Sequence, residues 1–243
     1  MPHNILFLTT SHTELGNTGK KTGIWAEEFI LPYYKFYDAG FSITVTSPLG
    51  GSLPFDPSSI LKSGENKPII ERFLKDPIAQ KVASSATPAS AIDVTPFDVI
   101  FVPGGHGAMW DLAVNPDAIK IIEDGYEQQK LIVAICHGPA ALVGAKDKAG
   151  RPIVANRRVN CFTDAEKAAV GLTDVMPFAL EARLKQLGAN FEGGGNWQVF
   201  AVQDERLITG QNPGSIERVT DLVLQELAGV SAQALSYDYE MGV

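Results

Sequence analysis

Short, continuously apolar runs alternate with amphipathic segments along most of the chain. The apolar runs are rich in branched and aromatic side chains, which is typical of strands buried on both faces of a sheet. They are NILFLTT (residues 4–10), FSITVTSP (41–48), FDVIFVPGG (97–105) and KLIVAIC (130–136). Helical spacing is clearest at 22–40, 115–129, 177–188 and 214–229. The alternation predicts an α/β fold in which helices sandwich a mostly parallel sheet.

Four other parts of the chain depart from this simple alternation. The segment 197–210 predicts two strands joined by a turn, and 157–164 predicts a strand that runs into a loop. Residues 50–96 are rich in Gly, Pro and Ser, with one predicted helix near 69–83, and we expect an insertion, a lid or a long connection there. The end of the chain from residue 231 is predicted to be a loose tail. We expect one domain over residues 1–243.

Composition and charge exclude several classes of protein. The net charge of −8 disfavours a nucleic-acid partner and binding to acidic membranes. No apolar stretch reaches the ~18 residues of a membrane span, and the first residues do not have the pattern of a signal peptide. With two cysteines and no metal-ligand spacing, we expect free thiols, a cytoplasmic location and no metal site.

The boundary between a predicted strand and the segment after it carries a candidate nucleophile, Cys136. Ala134 and Gly138 flank it in the small-x-nucleophile-x-Gly pattern of a nucleophile elbow, where a tight turn lifts the side chain clear of the sheet. The start of a following helix would make the thiol more acidic. A buried structural cysteine at a strand end fits the same residues, so the pattern alone leaves both interpretations open.

The positions of the four histidines narrow the possible chemistry. None lies after His137 in the chain. Glutamine amidotransferases, α/β-hydrolases and papain-like proteases take their histidine from downstream of the nucleophile, which this chain cannot supply. Chemistry that pairs a cysteine with a histidine must therefore use His137, or His106 from another predicted strand end.

Five segments together resemble the ThiJ/PfpI superfamily, and they are most similar to its heat-shock-chaperone and glyoxalase III branch. The segments are KTGIWAEEFILPYYKFYDAGF, FVPGGHGAMWDL, AICHGPAAL, CFTDAEKAAVGLTDVMPFALE and LITGQNPGS. The similarity covers about residues 4–229, with the motifs in the expected order. It implies a flavodoxin-like sandwich, a cysteine elbow and a homodimer.

The resemblance also implies roles for individual residues around Cys136. The family's glutamate, five residues after the Gly of the Thr-Gly turn and four before the Pro, is Glu28 rather than Glu27. A carboxyl group beside a thiolate is pushed toward its protonated form and then donates a hydrogen bond to sulfur. The oxyanion donors map to the backbone N–H groups of Gly105 and His137. Two more pocket residues, Gly104 and His106, are expected beside them.

The group that would orient His137 is less clearly marked. Relatives place an acidic residue three positions after the Asp of the Phe-Thr-Asp segment, and this chain has Lys167 there. Glu166 is the expected substitute and Asp164 the alternative. Cys161, just before this segment, is expected to be a core residue or part of the site wall.

The resemblance implies a lyase that acts on small reactive aldehydes without a cofactor, a glutathione-independent glyoxalase that converts methylglyoxal and water to lactate. The Cys136 thiolate would attack the aldehyde, and Glu28 or His137 would move a proton between the two carbons. The alternatives are a stress chaperone that holds unfolded proteins, a redox sensor based on Cys136, and a hydrolase of the same superfamily.

Overall fold

The computed structural model describes residues 2–60 and 67–229 of the chain. Its strands are β1 (Asn4–Leu8), β2 (Ser42–Ser47), β3 (Thr87–Pro88), β4 (Val99–Val102), β5 (Leu131–Ile135), β6 (Arg158–Val159), β7 (Asn190–Phe191), β8 (Ala201–Asp204) and β9 (Leu207–Gly210). Within the described ranges, the main sheet has seven strands in the order β3-β2-β1-β4-β5-β9-β8. Its neighbours are parallel except β8 and β9, while β6 and β7 form a separate parallel pair.

Helices cover both faces of the main sheet. They are α1 (Ala26–Asp38), α2 (Pro57–Ile60), α3 (Lys67–Lys75), α4 (Pro77–Ser84), α5 (Ala108–Asp111), α6 (Pro116–Glu127), α7 (Asp164–Ala169), α8 (Leu180–Gln186) and α9 (Ile216–Leu227). Short 3₁₀ turns occur at Ala89–Ala91, Gly138–Leu142 and Pro213–Ser215. Within the described ranges, no helix has both the length and the apolar character needed to cross a membrane.

The α/β architecture predicted from the alternating pattern is confirmed. Each long apolar run forms a strand, and α1 continues through Pro32. The region 50–96 differs from the single helix that we expected, because its described part contains α2, α3 and α4, with Pro57 and Pro77 at the first positions of α2 and α4. Pro favours a helix start, which explains the division into short helices. The predicted tail from residue 231 lies outside the described residues.

The core lies on both sides of the sheet because successive strand residues point to opposite faces. In β1, Ile5 and Phe7 pack against the helices of one face, whereas Leu6 and Leu8 pack on the other. Strands β4 and β5 alternate in the same way. These strands are apolar at consecutive positions for this reason.

The strand order changes direction next to β1. The chain runs from β1 outward to β2 and β3, and then returns to β4 on the other side of β1. Parallel sheets of this kind bind ligands beyond the carboxyl ends of the strands at such a switch point. The segments that follow β1, β4 and β5 are therefore brought to one edge of the sheet, and they include residues 103–107 and 136–139.

We expect Ile100→Ala to lower the free energy of unfolding by about 2–5 kcal/mol, since large-to-small changes in a packed core leave a cavity. Ile100 is fully buried in β4 and lies over Gly125 of α6, where an added Cβ would come within 2.3 Å of its Cδ1. Ile78→Ala is the matched control, because Ile78 is 60% exposed and should change stability by less than about 0.5 kcal/mol. Urea denaturation measures both, and equal losses would contradict the assignment of the core.

Candidate active site

The turn after β5 has the geometry of a nucleophile elbow. Cys136 has a φ of 58°, in the left-handed region that residues other than Gly rarely adopt. Its backbone N–H donates to the Gly210 carbonyl at 2.8 Å, and its own carbonyl accepts from Phe162 at 2.8 Å. Gly138 follows because an added Cβ there would lie 2.3 Å from the Val102 carbonyl oxygen. Bonds to neighbouring segments on both sides thus hold the strained turn.

The segment after the elbow is shorter than predicted. Residues Gly138–Leu142 form a single 3₁₀ turn instead of the expected helix. The prediction that Cys136 is more acidic than an ordinary thiol is also wrong for the free protein. Burial raises the pKa of this thiol well above its ordinary value, and the neighbouring Glu28 raises it further. The backbone N–H groups of Gly105 and His137 lower the pKa, but they do not offset burial.

The carboxyl group of Glu28 reaches the elbow from the first turn of α1. The residue is fully buried, and its Oε2 accepts a hydrogen bond from the Gly104 N–H at 2.7 Å. Among the described residues, its Oε1 has no hydrogen-bond partner within the usual limits. Burial raises the pKa of Glu28 to about 8, although Gly104 and Cys136 both act to lower it. Glu28 is therefore protonated at neutral pH.

The thiol of Cys136 and the carboxyl of Glu28 form a coupled pair. Each affects the pKa of the other, and neither is in contact with enough water to carry a charge cheaply. A negative charge on one disfavours a negative charge on the other. Near neutral pH, the pair therefore keeps at least one proton in the site.

The loop after β4 passes very close to both groups. An added Cβ at Gly104 would lie 2.7 Å from Oε2 of Glu28 and 2.7 Å from the His137 nitrogen. Gly105 has a φ of 110°, and a Cβ there would lie 2.3 Å from the Gly23 carbonyl oxygen. Only glycine fits at either position. This packing aims the N–H of Gly105 at the sulfur beside the N–H of His137.

The ring of His137 lies against the nucleophile and is held by two other rings. Its Nδ1 is 3.3 Å from Sγ of Cys136. The Phe162 ring stacks on it at 4.7 Å between centroids, and the His106 ring lies at 4.8 Å. Burial, with further contributions from His106 and Lys167, lowers the pKa of His137 well below its ordinary value, so this imidazole is neutral at pH 7.

The expected contact between Glu166 and His137 is not made. Oε2 of Glu166 accepts from the backbone and hydroxyl of Thr163 at 3.0 and 3.1 Å, which forms a capping box at the start of α7. The alternative acid, Asp164, pairs with Lys167 at 2.8 Å. Within the described part of the chain, the hydrogen bond of the His137 ring is to Cys136. The pattern Thr-x-x-Glu in the sequence is the signal for this cap, which we did not use.

The other carboxylate oxygen of Glu166, Oε1, accepts hydrogen bonds from residues at the wall of the cavity. Oε1 accepts from the Trp197 backbone at 2.8 Å, from the Gln211 amide at 3.1 Å and from the Asn212 amide at 2.8 Å. Trp197 itself has a φ of 65°, so this loop is strained as well as anchored. Glu166 therefore fixes two segments that border the nucleophile, rather than the nucleophile's neighbour His137.

A cavity of about 350 Å³ opens above Cys136. Its wall is largely aromatic and apolar, and it includes Gly105 and His106 as expected. The side chains that sequence analysis missed are Trp25, Glu27, Phe162, Val170, Trp197, Asn212 and Pro213. They come from segments far apart in the sequence, so no local pattern marks them. Among the described residues, no group of three or more His, Cys, Asp and Glu side chains is arranged to hold a metal ion.

Comparisons with known proteins show the family to which the chain belongs. The model of the DJ-1/PfpI family matches residues 22–226, and the chain belongs to this family. Glyoxalase 3 of Candida albicans is 30% identical over 229 residues, which cover 90% of this chain and 96% of that protein. The glutathione-independent glyoxalase HSP31 of Saccharomyces cerevisiae is 27% identical over 224 residues, or 88% of this chain and 93% of that protein.

Two solved structures are similar over nearly the whole chain. Rapid Encystment Protein 24 KDa of Francisella tularensis has a TM-score of 0.88 at 36% identity, covering 93% of this chain and 99% of that one. Glyoxalase III from Candida albicans has a TM-score of 0.82 at 28% identity, covering 91% of this chain and 96% of that one. The resemblance seen in the sequence is confirmed.

We expect iodoacetamide to label Cys136 in preference to Cys161. Cys136 lines the cavity, whereas Cys161 is fully buried, bonds to the Phe162 carbonyl at 3.3 Å, and has a pKa raised well above its ordinary value by burial. Peptide mass spectrometry at pH 8 measures the labelled fraction of each cysteine in the folded protein. The Cys136→Ser variant should lose the labelling and Cys161→Ala should keep it; the reverse would identify Cys161 as the reactive thiol.

The raised pKa of Glu28 makes stability depend on pH in a defined direction. Between its ordinary pKa of 4.5 and about 8, the folded protein keeps a proton that the unfolded chain releases. The free energy of unfolding therefore falls as pH rises, by at most about 1.4 kcal/mol per pH unit from this group. Both variants for this test carry Cys136→Ser, and one of them also carries Glu28→Gln. As pH rises from 5 to 8, the free energy of unfolding of the double variant, measured relative to that of the single variant, should increase by roughly 2–4 kcal/mol. Urea denaturation at both pH values tests this, and a pH-independent difference would contradict the buried, protonated carboxyl.

Proposed function

We propose that this protein is a glutathione-independent glyoxalase that converts methylglyoxal and water to lactate. The observation that carries the proposal is the pairing of a cavity-lining Cys136 with a buried, protonated Glu28. The glyoxalase names of the two curated relatives support the same reaction and a small aldehyde as substrate.

The first step joins the sulfur of Cys136 to the aldehyde carbon of the substrate. The carbonyl electrons move to oxygen, and the N–H groups of Gly105 and His137, which already face the sulfur, stabilise the developing charge. Glu28 donates its proton to this oxygen, while the thiol proton passes to Nδ1 of the neutral His137, 3.3 Å from the sulfur, and a hemithioacetal results. The carboxyl thereby becomes a carboxylate at the moment when a base is needed.

The second step moves hydrogen from the first carbon to the second. Glu28 takes the proton from the carbon bound to sulfur, which leaves an enediol, and returns it to the neighbouring carbon. The hydroxyl proton passes to the other oxygen, so the product is a lactoyl thioester of Cys136. Water then cleaves this thioester, lactate leaves with release of one proton to solvent, the sulfur regains its proton, and the proton held by His137 returns to Glu28. Every step uses only the substrate, water and side chains of this chain, and it needs no cofactor.

We expect Cys136→Ser to abolish lactate formation and Glu28→Gln to reduce it by roughly 10²- to 10⁴-fold, the range for loss of acid–base catalysis. Glu27→Gln is the matched control, because it makes the same Glu-to-Gln change one helical position away, at a side chain that also lines the cavity. It should keep at least tenfold more activity than Glu28→Gln. The assay measures lactate formed from methylglyoxal in the absence of glutathione. Equal activity of the two variants, or the reverse order, would refute the role of Glu28.

Three further properties stay predictions that the resemblance or the composition implies. They are a homodimer, binding of unfolded proteins, and a cytoplasmic location. The exposed apolar side chains Leu74 and Ile78 in the region 50–96, at 52% and 60% exposure, are the feature that favours a chaperone surface.

A further inference from the structure

His106 lies between two cavities. It lines the catalytic cavity together with Cys136, and it also lines a second cavity of about 560 Å³ that is bordered by Lys20, Lys21, Asp56 and Ser58. Lys20 and Lys21 are exposed, so the second cavity communicates with solvent. The ring of His106 therefore borders both a cavity that is open to solvent and the cavity that contains Cys136.

A buried carboxylate faces one edge of this imidazole. Oδ2 of Asp56 lies 3.8 Å from Nδ1 of His106. Among the described residues, this Nδ1 is a buried polar atom with no hydrogen-bond partner within the usual limits. A carboxylate at Nδ1 favours the tautomer with its proton on that nitrogen, which leaves Nε2 on the other edge as a base.

Asp56 is held firmly in this position. Its Oδ2 accepts from the Thr22 hydroxyl at 2.9 Å, and its Oδ1 accepts from the Ser58 backbone and hydroxyl at 2.9 and 2.6 Å. Burial alone would raise the pKa of Asp56, but interactions with His106, Ser58 and Thr22 outweigh it and lower the pKa to about 2. Asp56 as a residue is only 5% exposed, and its carboxylate stays ionised across the physiological range.

Neither His137 nor Glu28, the two groups beside Cys136, is suited to catalyse release of the product. His137 is neutral and bonded to the sulfur, and Glu28 lies on the Gly104 side of the elbow, engaged with proton transfer between the substrate carbons. Release of the product requires a base that can take a proton from water near the thioester. His106 is a histidine on the cavity wall with a route to solvent.

From this arrangement we infer that His106, positioned by Asp56, activates the water that cleaves the thioester of Cys136. The inference rests on the proposed glyoxalase function and adds a second acid–base pair to it. Nε2 of His106 takes a proton as the water oxygen bonds to the thioester carbon. The carbon–sulfur bond then breaks, its electrons return to sulfur, and the proton passes from His106 to that sulfur as lactate leaves. Protons and electrons balance with no further reactant.

The test measures the thioester directly in His106→Gln and Asp56→Asn. Enzyme turning over methylglyoxal is quenched in acid and treated with hydroxylamine. The thioester yields lactohydroxamate, whereas the hemithioacetal of the same mass reverts to methylglyoxal. We expect both variants to lose roughly 10²-fold in steady-state lactate formation, the lower end for loss of a general base. Both variants should also accumulate much more of the thioester, measured as lactohydroxamate, than the parent does.

Asp111→Asn is the matched control for the change of a partly buried, hydrogen-bonded carboxylate to an amide. Asp111 accepts 2.7 Å hydrogen bonds from Thr10 and the Ser11 backbone near the end of β1, outside the catalytic cavity. Asp111→Asn should form lactate and accumulate no more thioester than the parent. Melting temperatures of all three variants verify that they are folded.

The outcomes separate the inference from the proposed function on which it rests. A parent protein that forms no lactate from methylglyoxal would refute the glyoxalase function itself. If the parent is active, two results for His106→Gln would overturn the role of His106 in water activation. One is slow lactate formation without accumulation of extra thioester, and the other is lactate formation at the normal rate. Asp56→Asn behaving like Asp111→Asn would overturn the pairing, and would do so even if His106→Gln accumulates thioester.

Discussion

The site depends on one constraint, which is that a thiol and a carboxyl group face each other where little water can reach them. Ionising Cys136 or Glu28 is costly in this environment, and ionising both is costlier still. The pair therefore keeps a proton that can move to a bound molecule and back. An isolated, solvated glutamate could not do this at neutral pH, because its ordinary pKa of 4.5 leaves it ionised.

The backbone around this pair is built for close approach. Gly104, Gly105 and Gly138 occupy positions where an added Cβ would lie 2.3–2.7 Å from neighbouring backbone or carboxylate atoms. The loops after β4 and β5 can pack against the start of α1 only because these side chains are absent. The same packing brings the N–H groups of Gly105 and His137 to the sulfur, so one set of contacts serves both burial and oxyanion binding.

Three buried acids near the cavity differ according to the number of donors around them. Glu28 accepts one backbone hydrogen bond and is protonated. Glu166 accepts five and serves as an anchor for the cavity wall. Asp56 accepts three from Thr22 and Ser58 and remains ionised beside His106. The same functional group thus supplies a proton store, a structural support and a fixed negative charge within one site.

The sequence by itself determined the α/β class and the strand that leads into Cys136. It also indicated Glu28 rather than Glu27 and the glycines of the loop after β4. Each of these depends on local periodicity or on a short motif. It did not determine the partner of Glu166, the raised pKa of Cys136 or the placement of Asp56 beside His106. A capping box and an acid that orients a histidine both place a glutamate a few residues after a Thr. The carboxylate's bonds to Trp197, Gln211 and Asn212 decide between them, and those residues lie 31–46 positions away in the chain. Burial and proximity between distant segments exist only once the chain has folded, so the electrostatics of the site were decided by the tertiary structure.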